Sequence, residues 1–468
     1  MKILSTEILQ DISAEKVQIP TTESFAYPEK VIQFGTGVLL RGLPDYYIDK
    51  ANKKQLFKGR VVVVKSTTTG SVEDFLSQEG LYTVCVKGIE DGKEREEYII
   101  NNSITRVLEA ASQWAEILKI AESSDLEVII SNTTEVGIVS SDDKVTDLPP
   151  SSFPGKLLNL LYHRYQTFNG DTSKGLVILP TELISDNATV LKDIVLTLAE
   201  KNNLEGSFIH WLSEANDFCN TLVDRIVPGK LPEEVQMETN KQLGYSDNLM
   251  IMAEPFRLWA IESSSDRVRD KLSFAQADDS VLIVPSIVKY KEIKLRLLNA
   301  THTFTCAAAI LAGFKTVKEA MQNEIFRSYV QQLMRQEIGP SIVGLEITEE
   351  EARQFSDKVV DRFSNPFLDH QWTAIAMNYS SKVAMRCVPL LGKWYAKFQS
   401  PPKLMAFGIA AFLKMHVQQE GVSTDDIIKD QKIWGADLTA YPQFVNTIND
   451  NLEKIASQGI VKTLSAIK

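Results

Sequence analysis

Three polar side chains in the stretch 289–302, KYKEIKLRLLNATH, suit a redox step between a carbonyl and an alcohol. Lys294 stands among leucines, where lost hydration favours the uncharged amine that can give and take a proton. Asn299 offers an amide N–H that can stabilise an oxygen as it becomes negative. His302 can hold a neighbouring hydroxyl or carboxylate oxygen. The alternative interpretation is a solvated helix edge without chemistry.

A buried helix is the element that has to position these groups. The stretch contains neither Gly nor Pro, and its leucines, together with AAAIL at 307–311, supply an apolar surface. At about 100° per residue, Lys294, Asn299 and His302 fall at roughly 0°, 140° and 80° around an α-helix. The helix would therefore present all three side chains from one side.

The spacing Lys-x4-Asn-x2-His inside KLRLLNATH resembles the active-site helix of the mannitol dehydrogenase family, also called polyol-specific long-chain dehydrogenases/reductases. The resemblance implies that Lys294 is the general acid/base, that Asn299 binds the substrate oxygen, that His302 orients the substrate and that no metal takes part. A second family motif, N-x-x-V-D-R-I, matches residues 220–226, NTLVDRI. It implies that Asn220 is the partner of Asn299 in binding that oxygen.

Composition narrows the class of protein. The chain has 468 residues, of which 44% are hydrophobic and 24% charged, as expected for a soluble globular protein of two or three domains. The net charge of −11 argues against nucleic acid or an anionic membrane as a partner. The N-terminal segment MKILSTEILQDISAEK lacks the apolar core of a secretory signal, and no later run reaches membrane-spanning length. We therefore expect a cytoplasmic protein that binds a small molecule.

The distribution of cysteine and histidine argues against a metal site. Cys85, Cys219, Cys306 and Cys387 are scattered without a CxxC pair, which is typical of reduced, buried thiols. The five histidines show no spacing such as HxxxH that would suit a zinc dehydrogenase. We expect no metal cofactor.

A dinucleotide-binding turn is predicted near the N-terminus. The apolar run Val31–Phe34 leads into Gly35, Thr36 and Gly37, and a helical pattern follows. A strand, a glycine turn and a helix N-terminus in this order can hold a cofactor diphosphate. The third glycine of GxGxxG is Leu40 here, so an ordinary strand-to-helix turn is the alternative.

The family's version of this fingerprint is G-x-G-x-x-x-R, which is similar to Gly35, Gly37 and Arg41 and implies that Arg41 lies near the diphosphate. The next parallel strand, Arg60–Lys65, ends where an NAD-selective site places an acid for the ribose hydroxyls. Lys65 is a cation that could accept the 2′-phosphate of NADP, whereas the family resemblance implies NAD. We predict NAD, and Lys65 keeps NADP open as the alternative.

Polar residues follow the strand predicted at 126–130, LEVII. Asn132, Thr133 and Glu135 belong to the segment SNTTEVGI, and ligands collect beyond the carboxyl ends of parallel strands. We predict that these three residues contact the cofactor, with an ordinary polar loop as the alternative. Within the family, this segment is most similar to that of members that reduce tagaturonate, a keto-sugar acid.

Four further residues are predicted to bind substrate. Glu254 belongs to AEPFRLW, which resembles the family's E-P-F-x-x-W segment. Lys291 stands three positions before Lys294, where mannitol-specific members have glutamate, and a cation there suits an anionic substrate. Lys382 and Arg386 form a second basic pair. For the three cations, a solvated surface position is the alternative.

The pattern changes from strands to helices near residue 281. Helical periodicity covers residues 290–314, 317–338, 348–363, 369–395 and 402–419. We predict an α/β fold in which an N-terminal Rossmann-like, doubly wound sheet domain covers 1–280. An all-helical substrate and catalytic domain then covers 281–468.

The resemblance extends over nearly the whole chain and implies a metal-independent, NAD-dependent, reversible reduction of D-tagaturonate to D-altronate. Within the family, fructuronate reductase and mannitol 2-dehydrogenase are the alternative activities. From a different class of function, a non-catalytic nucleotide-binding module is the alternative. No pattern in the sequence predicts an oligomeric state.

Overall fold

The computed structural model describes residues 1–67, 70–133, 137–420 and 424–467. The chain forms two compact units. The first unit comprises Met1–Lys87 and Arg95–Ile287, and the second comprises Gly88–Glu94 and Val288–Lys468. The second unit therefore includes a short piece of chain from the first half of the sequence, besides everything after residue 287.

Within the described residues, a six-stranded parallel sheet forms the central layer of the first unit. Its strands, in spatial order, are β5 (Ile104–Glu109), β2 (Arg60–Lys65), β1 (Glu29–Phe34), β6 (Val128–Ser131), β7 (Val177–Pro180) and β8 (Asp217–Phe218). The apolar runs form parallel strands because both of their faces are covered, and β2 is buried along its whole length. The strand order is that of a doubly wound dinucleotide-binding sheet, in which the chain reverses its direction of progress between β1 and β6. The predicted fold of the N-terminal part is confirmed.

Two smaller sheets accompany the central one in the first unit. One has the order β10 (Ile251–Ala253), β3 (Tyr82–Glu90), β4 (Lys93–Asn101), and the other has the order β12 (Val281–Val284), β11 (Leu258–Glu262), β9 (Thr221–Asp224). Strands β3 and β4 are joined by Asp91 and Gly92, with φ values of 52° and 73°. Positive φ at both positions of a two-residue turn favours the Asp-Gly pair.

Helices cover the central sheet on one side and share the other side with the small sheets. The helices of the first unit are α1 (Val38–Gly42), α2 (Pro44–Lys53), α3 (Glu73–Ser77), α4 (Ala110–Ala121), α5 (Phe153–Thr167), α6 (Asn187–Lys201), α7 (Gly206–Glu214), α8 (Glu233–Leu243) and α9 (Asp266–Lys271). Short 3-10 helices occupy Thr6–Asp11, Thr22–Ala26, Thr172–Lys174 and Ser273–Ala277. Val62 and Val64 of β2 pack with residues of α4 to α7, whereas Val61 and Val63 pack with α2, β3 and β11. The alternation of side chains along a strand produces these two cores.

The second unit consists mainly of helices, as predicted. They are α10 (Val288–Ile293), α11 (Thr301–Leu311), α12 (Val317–Gln322), α13 (Glu324–Gln332), α14 (Gly339–Ile342), α15 (Glu349–Phe363), α16 (Trp372–Ile375), α17 (Tyr379–Lys382), α18 (Val388–Tyr395), α19 (Lys403–Glu420), α20 (Thr424–Lys429), α21 (Gln431–Trp434), α22 (Phe444–Gln458) and α23 (Ile460–Ala466), with a 3-10 helix at Leu438–Ala440. Helices α11 and α19 approach closely at Gly408, where a Cβ would lie 2.8 Å from the Phe304 carbonyl oxygen. A side chain at this position would separate the two helices.

In the described part of the helical unit, three π-helical segments occur that the sequence pattern did not predict. They are Lys294–Ala300, Leu333–Ile338 and Val383–Cys387. Each continues directly from an α-helix, so the apolar periodicity carries through the change of hydrogen-bond pattern. The helix predicted over 369–395 is in fact α16, α17, the third π-helix and α18 in succession.

Cys85, Cys219, Cys306 and Cys387 are buried free thiols. In the described part of the chain, no helix combines the length and the apolar character needed to cross a membrane.

Candidate functional site

The turn after β1 is built around Gly35. Its φ is +128°, and a Cβ there would come within 2.9 Å of Leu40 Cδ1 and 3.0 Å of the Asn132 carbonyl oxygen, so only glycine fits. Leu40, which replaces the third glycine of the fingerprint, is the side chain that packs against this turn. Thr36 is half-buried, and at Gly37 a Cβ would meet no described atom within 4 Å. The turn therefore has an open side directly before α1, as a diphosphate site requires.

A buried carboxyl group is linked to this turn through Gln33. The Gln33 Nε2 donates to Asp45 Oδ2 over 3.2 Å and to the Gly35 carbonyl over 3.5 Å. Burial raises the pKa of Asp45 to about 7, although the Gln33 hydrogen bond and the charge of Arg41 oppose the rise. Asp45 Oδ1 is buried and has no hydrogen-bond partner among the described residues. This position favours the neutral carboxyl.

Arg41, predicted near the diphosphate, is buried inside the first unit. Its guanidinium donates to the Leu249 carbonyl over 2.6 Å and lies 5.4 Å from the Tyr82 ring centroid and 5.6 Å from that of Phe75. Burial lowers the pKa of Arg41. In this arrangement Arg41 fixes α1 against the neighbouring sheet, and its contact with the diphosphate stays a prediction.

Two buried residues after β7, Thr181 and Glu182, hold the loop that follows β6. Asn132 Nδ2 donates to the Thr181 carbonyl over 3.1 Å and to Thr181 Oγ1 over 3.0 Å. Glu182 Oε1 accepts from the N–H and the hydroxyl of Thr133, both over 2.9 Å, and Oε2 accepts from Ser131 Oγ over 3.1 Å. Burial raises the pKa of Glu182, and the hydrogen bonds partly oppose this. The predicted cofactor residues Asn132 and Thr133 are thereby fixed at the carboxyl edge of the sheet.

The same hydrogen-bond network continues to the small sheet through Asn187. Asn187 Nδ2 donates to the Glu182 carbonyl over 3.1 Å and to the Thr221 carbonyl over 3.2 Å, and Oδ1 accepts from the Thr221 N–H over 3.0 Å. These hydrogen bonds therefore connect the carboxyl ends of β6 and β7 with the start of β9. The predicted cofactor residue Glu135 lies outside the described residues.

Asn220 caps helix α6 from a distant part of the chain. Its Oδ1 accepts from the N–H groups of Ala188 and Thr189, over 3.0 and 3.1 Å. Its Nδ2 donates to Thr189 Oγ1 and to Glu262 Oε1, both over 3.1 Å. The amide predicted to bind the substrate oxygen thus has partners on both of its polar atoms.

Lys65 ends β2 and is paired inside the first unit. Its Nζ donates to Glu109 Oε1 over 3.0 Å and to the Thr67 carbonyl over 2.9 Å. Glu109 ends β5, and the two residues are register partners in neighbouring parallel strands. The predicted cation at the strand end is present, together with an acid that the sequence pattern did not single out.

In the second unit, Lys294 and Asn299 lie in the first π-helix, Lys294–Ala300. In a π-helix the hydrogen bonds join residues five apart, so such residues stand about one turn above each other. Lys294 and Asn299 have this separation. The angle of roughly 140° expected for an α-helix does not apply, and the π-turn brings the two half-buried side chains onto one face. Short π-segments are frequent at functional sites.

His302 is buried at the start of α11 and carries no charge at neutral pH. Burial lowers its pKa well below the ordinary value, and His370, Arg362, Arg386 and Lys382 act in the same direction. The His302 ring centroid lies 5.2 Å from that of His370. Its Nδ1 is buried without a hydrogen-bond partner among the described residues. The imidazole is therefore a neutral hydrogen-bonding group in positively charged surroundings.

The predicted basic pair belongs to these surroundings. Arg386 Nη1 lies 3.5 Å from Thr303 Oγ1, and its Nε is buried with no hydrogen-bond partner in the part of the chain that the structure describes. Lys382 Nζ donates to the Ile375 carbonyl over 2.8 Å. Burial lowers the pKa of both side chains. We call Arg362, Lys382 and Arg386 the basic cluster.

Arg296 joins the first π-helix to the third. Its Nη1 donates to the carbonyl oxygens of Met385 and Arg386, over 3.1 and 2.8 Å. The guanidinium is almost fully buried and also pairs with Glu292 over 3.1 Å. Arg296 thereby fixes the backbone that carries Arg386.

The remaining predicted substrate residues have different surroundings. Lys291 is half-buried in the last turn of α10. Glu254 is almost fully buried, and its Oε1 accepts from the Ile226 N–H over 2.6 Å while its carbonyl accepts from Arg225 Nε over 2.9 Å. Glu254 thus holds the VDRI segment inside the first unit, and its role in substrate binding stays a prediction.

The sequence matches two family models that together cover most of its length. Residues 29–273 match the mannitol dehydrogenase Rossmann domain, and residues 286–456 match the mannitol dehydrogenase C-terminal domain. The chain belongs to the mannitol dehydrogenase family. Membership confirms the resemblance read from KLRLLNATH and makes the protein an oxidoreductase that acts on CH–OH groups.

Relatives within the family cover nearly the whole chain. An altronate oxidoreductase of Bacillus subtilis is 36% identical over 462 residues, which span 94% of this chain and 95% of the relative. An altronate oxidoreductase of Bacteroides thetaiotaomicron is 34% identical over 469 residues, which span 94% of this chain and 97% of the relative.

Solved structures with the same fold include two polyol dehydrogenases. A substrate-free D-sorbitol dehydrogenase superposes with a TM-score of 0.78 at 20% identity and covers 99% of this chain and 100% of its own. Mannitol 2-dehydrogenase of Pseudomonas fluorescens, in a ternary complex with NAD and D-mannitol, superposes with a TM-score of 0.70 at 19% identity, with 99% of both chains covered. At these identities the likeness establishes the fold alone.

Several residues of the site were missed by reading the sequence. Glu182 follows the strand 176–179 just as Asn132 follows its own strand, so the rule that selected Asn132 could have found it. Glu109 gave no such signal, since its partner Lys65 comes from a distant part of the chain, and Arg362 is related to His302 only through the fold. Among the described residues, no group of three His, Cys, Asp or Glu side chains has a metal-binding arrangement. Independence from metal stays a prediction.

Proposed function

We propose that this member of the mannitol dehydrogenase family catalyses the reversible reduction of the keto-sugar acid D-tagaturonate to D-altronate with NADH and without a metal. The observation that carries the proposal is in the second unit. A lysine and an asparagine share one face of a π-turn, and a neutral imidazole among cations follows on the next turn. The altronate oxidoreductases at about 35% identity over 94% to 95% of the chain support the choice of substrate.

The first unit fits a nicotinamide dinucleotide. The turn at Gly35 and Gly37 lets a diphosphate approach the backbone closely and is open on one side. It lies after β1, where the order of the strands in the sheet reverses between β1 and β6. Asn132 and Thr133 lie at the edge of the next strand, where they can contact the nicotinamide half. Bound NADH supplies the hydride for the ketone carbon.

The proton comes from the chain itself. In reduction, the Lys294 ammonium gives a proton to the ketone oxygen as the hydride reaches the carbon, so one ketone, one NADH and one proton become one alcohol and one NAD⁺. In oxidation, the uncharged Lys294 amine takes the hydroxyl proton. Asn299 donates a hydrogen bond to the oxygen while it is negative. For Asn220 to donate as well, its Nδ2 must exchange one of its two present bonds for the substrate.

The basic cluster suits a substrate that carries a carboxylate. Arg386 offers a buried, unmatched Nε–H, and a charged hydrogen bond to a carboxylate oxygen would satisfy it. Lys382 and Lys291 are the further cations proposed for this role. His302, neutral and buried, is suited to orient a sugar hydroxyl. A neutral polyol would bring no negative charge to these cations, which argues against mannitol 2-dehydrogenase.

The test is the oxidation of NADH followed by its absorbance, with tagaturonate, fructuronate and fructose offered side by side. We expect the highest kcat/KM with tagaturonate and no loss of activity after dialysis against a chelator. A preference for fructuronate would assign the sibling activity. Turnover of fructose equal to that of the sugar acids would refute the carboxylate role. Binding of NADH without turnover of any of the three would leave only a nucleotide-binding module.

A further inference from the structure

The pair Lys65 and Glu109 bears on the choice between NADH and NADPH, and its interpretation rests on the proposed function. Lys65 ends β2, the strand beside the one that leads into the glycine turn. In doubly wound sheets the end of this strand faces the adenosine ribose of the cofactor. The two cofactors differ only by a phosphate on that ribose. The side chains at the end of β2 therefore select between NADH and NADPH.

The charge of Lys65 is already matched by the protein. Its Nζ donates to Glu109 Oε1 over 3.0 Å and to the Thr67 carbonyl over 2.9 Å, and its side chain is only 6% exposed. A 2′-phosphate would have to compete with Glu109 for a buried ammonium. The following segment 66–70, STTTG, adds no lysine or arginine.

The group that faces outward is the carboxylate. The Glu109 side chain is 41% exposed, and its backbone N–H is held by Gln113 Oε1 over 2.9 Å. Glu109 Oε2 has no hydrogen-bond partner among the described residues, so it can accept from a ribose hydroxyl. A phosphate at the same place would meet a negative charge.

We propose that Glu109, and not Lys65, determines cofactor choice, and that it makes the site selective for NADH. Its carboxylate accepts a hydrogen bond from the adenosine ribose and repels the 2′-phosphate of NADPH. Lys65 acts as a positioning residue, because its ammonium holds the carboxylate at the strand end. The lysine that the sequence offers as a phosphate ligand is thus engaged by Glu109, and it neutralises part of the carboxylate's charge.

Binding of NADH and of NADPH to the full-length protein, measured by titration calorimetry without substrate, tests the proposal. We expect the wild-type protein to bind NADH at least about tenfold more tightly than NADPH, because repulsion between two like charges at this distance costs roughly that factor. Glu109→Gln keeps the side-chain volume and an acceptor for Lys65 while it removes the charge. We expect it to bring the two dissociation constants within about threefold, mainly through tighter NADPH binding.

The matched control is Glu127→Gln. Glu127 pairs with Lys30 over 3.2 Å at the amino ends of β6 and β1, so this variant removes the same charge from the opposite edge of the same sheet. It should leave the NADH to NADPH ratio unchanged. Lys65→Met should weaken NADPH binding further, because Glu109 then stands unneutralised.

A wild-type protein that binds NADPH as tightly as NADH would overturn the proposal without any variant. So would an unchanged ratio in Glu109→Gln. Because binding is measured without a sugar acid, both outcomes are independent of the activity proposed above. Selective NADH binding with no turnover of tagaturonate would refute that activity and leave the role of Glu109 intact.

Discussion

The polar groups at the sheet edge of the first unit and those around His302 in the second unit are held in opposite ways. At the sheet edge, both oxygens of Glu182 accept hydrogen bonds, and both polar atoms of Asn220 have partners. Around His302, buried donors and acceptors lack partners among the described residues, notably His302 Nδ1 and Arg386 Nε. The first arrangement fixes a shape, whereas the second holds polar groups ready for a ligand.

This difference fits a division of labour between a cofactor site and a substrate site. A dinucleotide binds at an edge where Asn132, Thr133 and Asn220 are already fixed by hydrogen bonds before it arrives. A sugar acid brings a charge, and unmatched donors gain most from it because leaving them buried is costly. Variants in each region should therefore affect different kinetic constants.

The largest effect is expected for Lys294→Ala. Loss of the proton donor should lower kcat for tagaturonate by roughly three powers of ten or more, while NADH still binds with its normal dissociation constant. The measurement is steady-state turnover together with an NADH titration. Lys289→Ala is the control, since Lys289 belongs to the same helical stretch but pairs with Glu351 over 2.7 Å. Normal turnover in Lys294→Ala would dismiss the assignment of the acid/base.

Arg386→Met tests the basic cluster. We expect KM for tagaturonate to rise by roughly 10- to 100-fold, the value of one charged hydrogen bond, with little change in KM for NADH. Arg335→Met is the control, because Arg335 lies in another π-helix of the same unit and pairs with Asp357 over 2.5 Å. An equal rise of KM in both variants would mean that Arg386 acts only through the fold.

Glu182→Gln tests the rigid edge. The amide can accept at one position only, so one bond to Ser131 or Thr133 is lost, and we expect KM for NADH to rise about tenfold with a smaller fall in kcat. Glu337→Gln serves as control: this carboxyl in the second unit is also buried and accepts from the N–H groups of Leu404 and Met405. A KM for NADH that changes equally in both variants would contradict a specific role of Glu182.

Asp45→Asn addresses a buried, unmatched acceptor near the glycine turn and should have the smallest effect. The pKa of Asp45 is about 7 in the folded protein and 3.8 ordinarily, so the folded state binds the extra proton between these values. The stability that this proton contributes is lost as the pH rises through 7. The variant should therefore show a smaller fall in Tm than the wild type between pH 6 and 8.

Thermal unfolding at several pH values is the measurement. Asp171→Asn is the control, since the pKa of this exposed carboxyl is lowered by its hydrogen bonds to Ser173 and lies far from that pH range. If the pH dependence of Tm is the same in Asp45→Asn and wild type, Asp45 does not titrate there.

Much of the fold follows from the sequence because parallel strands buried on both faces are continuous apolar runs. Arg60–Lys65 could be predicted for this reason. The two-residue strand β8, Asp217–Phe218, could not, since it is too short to show any periodicity. The π-helices could not be predicted either. Over a few residues, the spacing of apolar side chains does not distinguish backbone hydrogen bonds between residues four apart from those between residues five apart.

The candidate site could be predicted in part. Residues whose role follows from their local position could be predicted, whereas interactions with distant parts of the chain could not. Gly35 and Asn132 follow directly from their places after strands. The partners that decide the behaviour of a residue come from elsewhere in the chain, as for Lys65, whose pairing with Glu109 spans two strands. The sequence thus predicts where a residue lies in the sheet, but it does not predict the net charge that the residue and its partner present to a ligand.

The β3–β4 turn limits where the chain can be divided to express the helical unit alone. Gly88–Glu94 belong to the helical unit, where the Gly92 amide donates to Asp361 Oδ2 over 3.2 Å. A recombinant fragment that starts at Val288 would therefore omit part of the unit that it is meant to contain. We expect a fragment truncated at this boundary to be poorly soluble. The helical unit should therefore be studied in the intact protein.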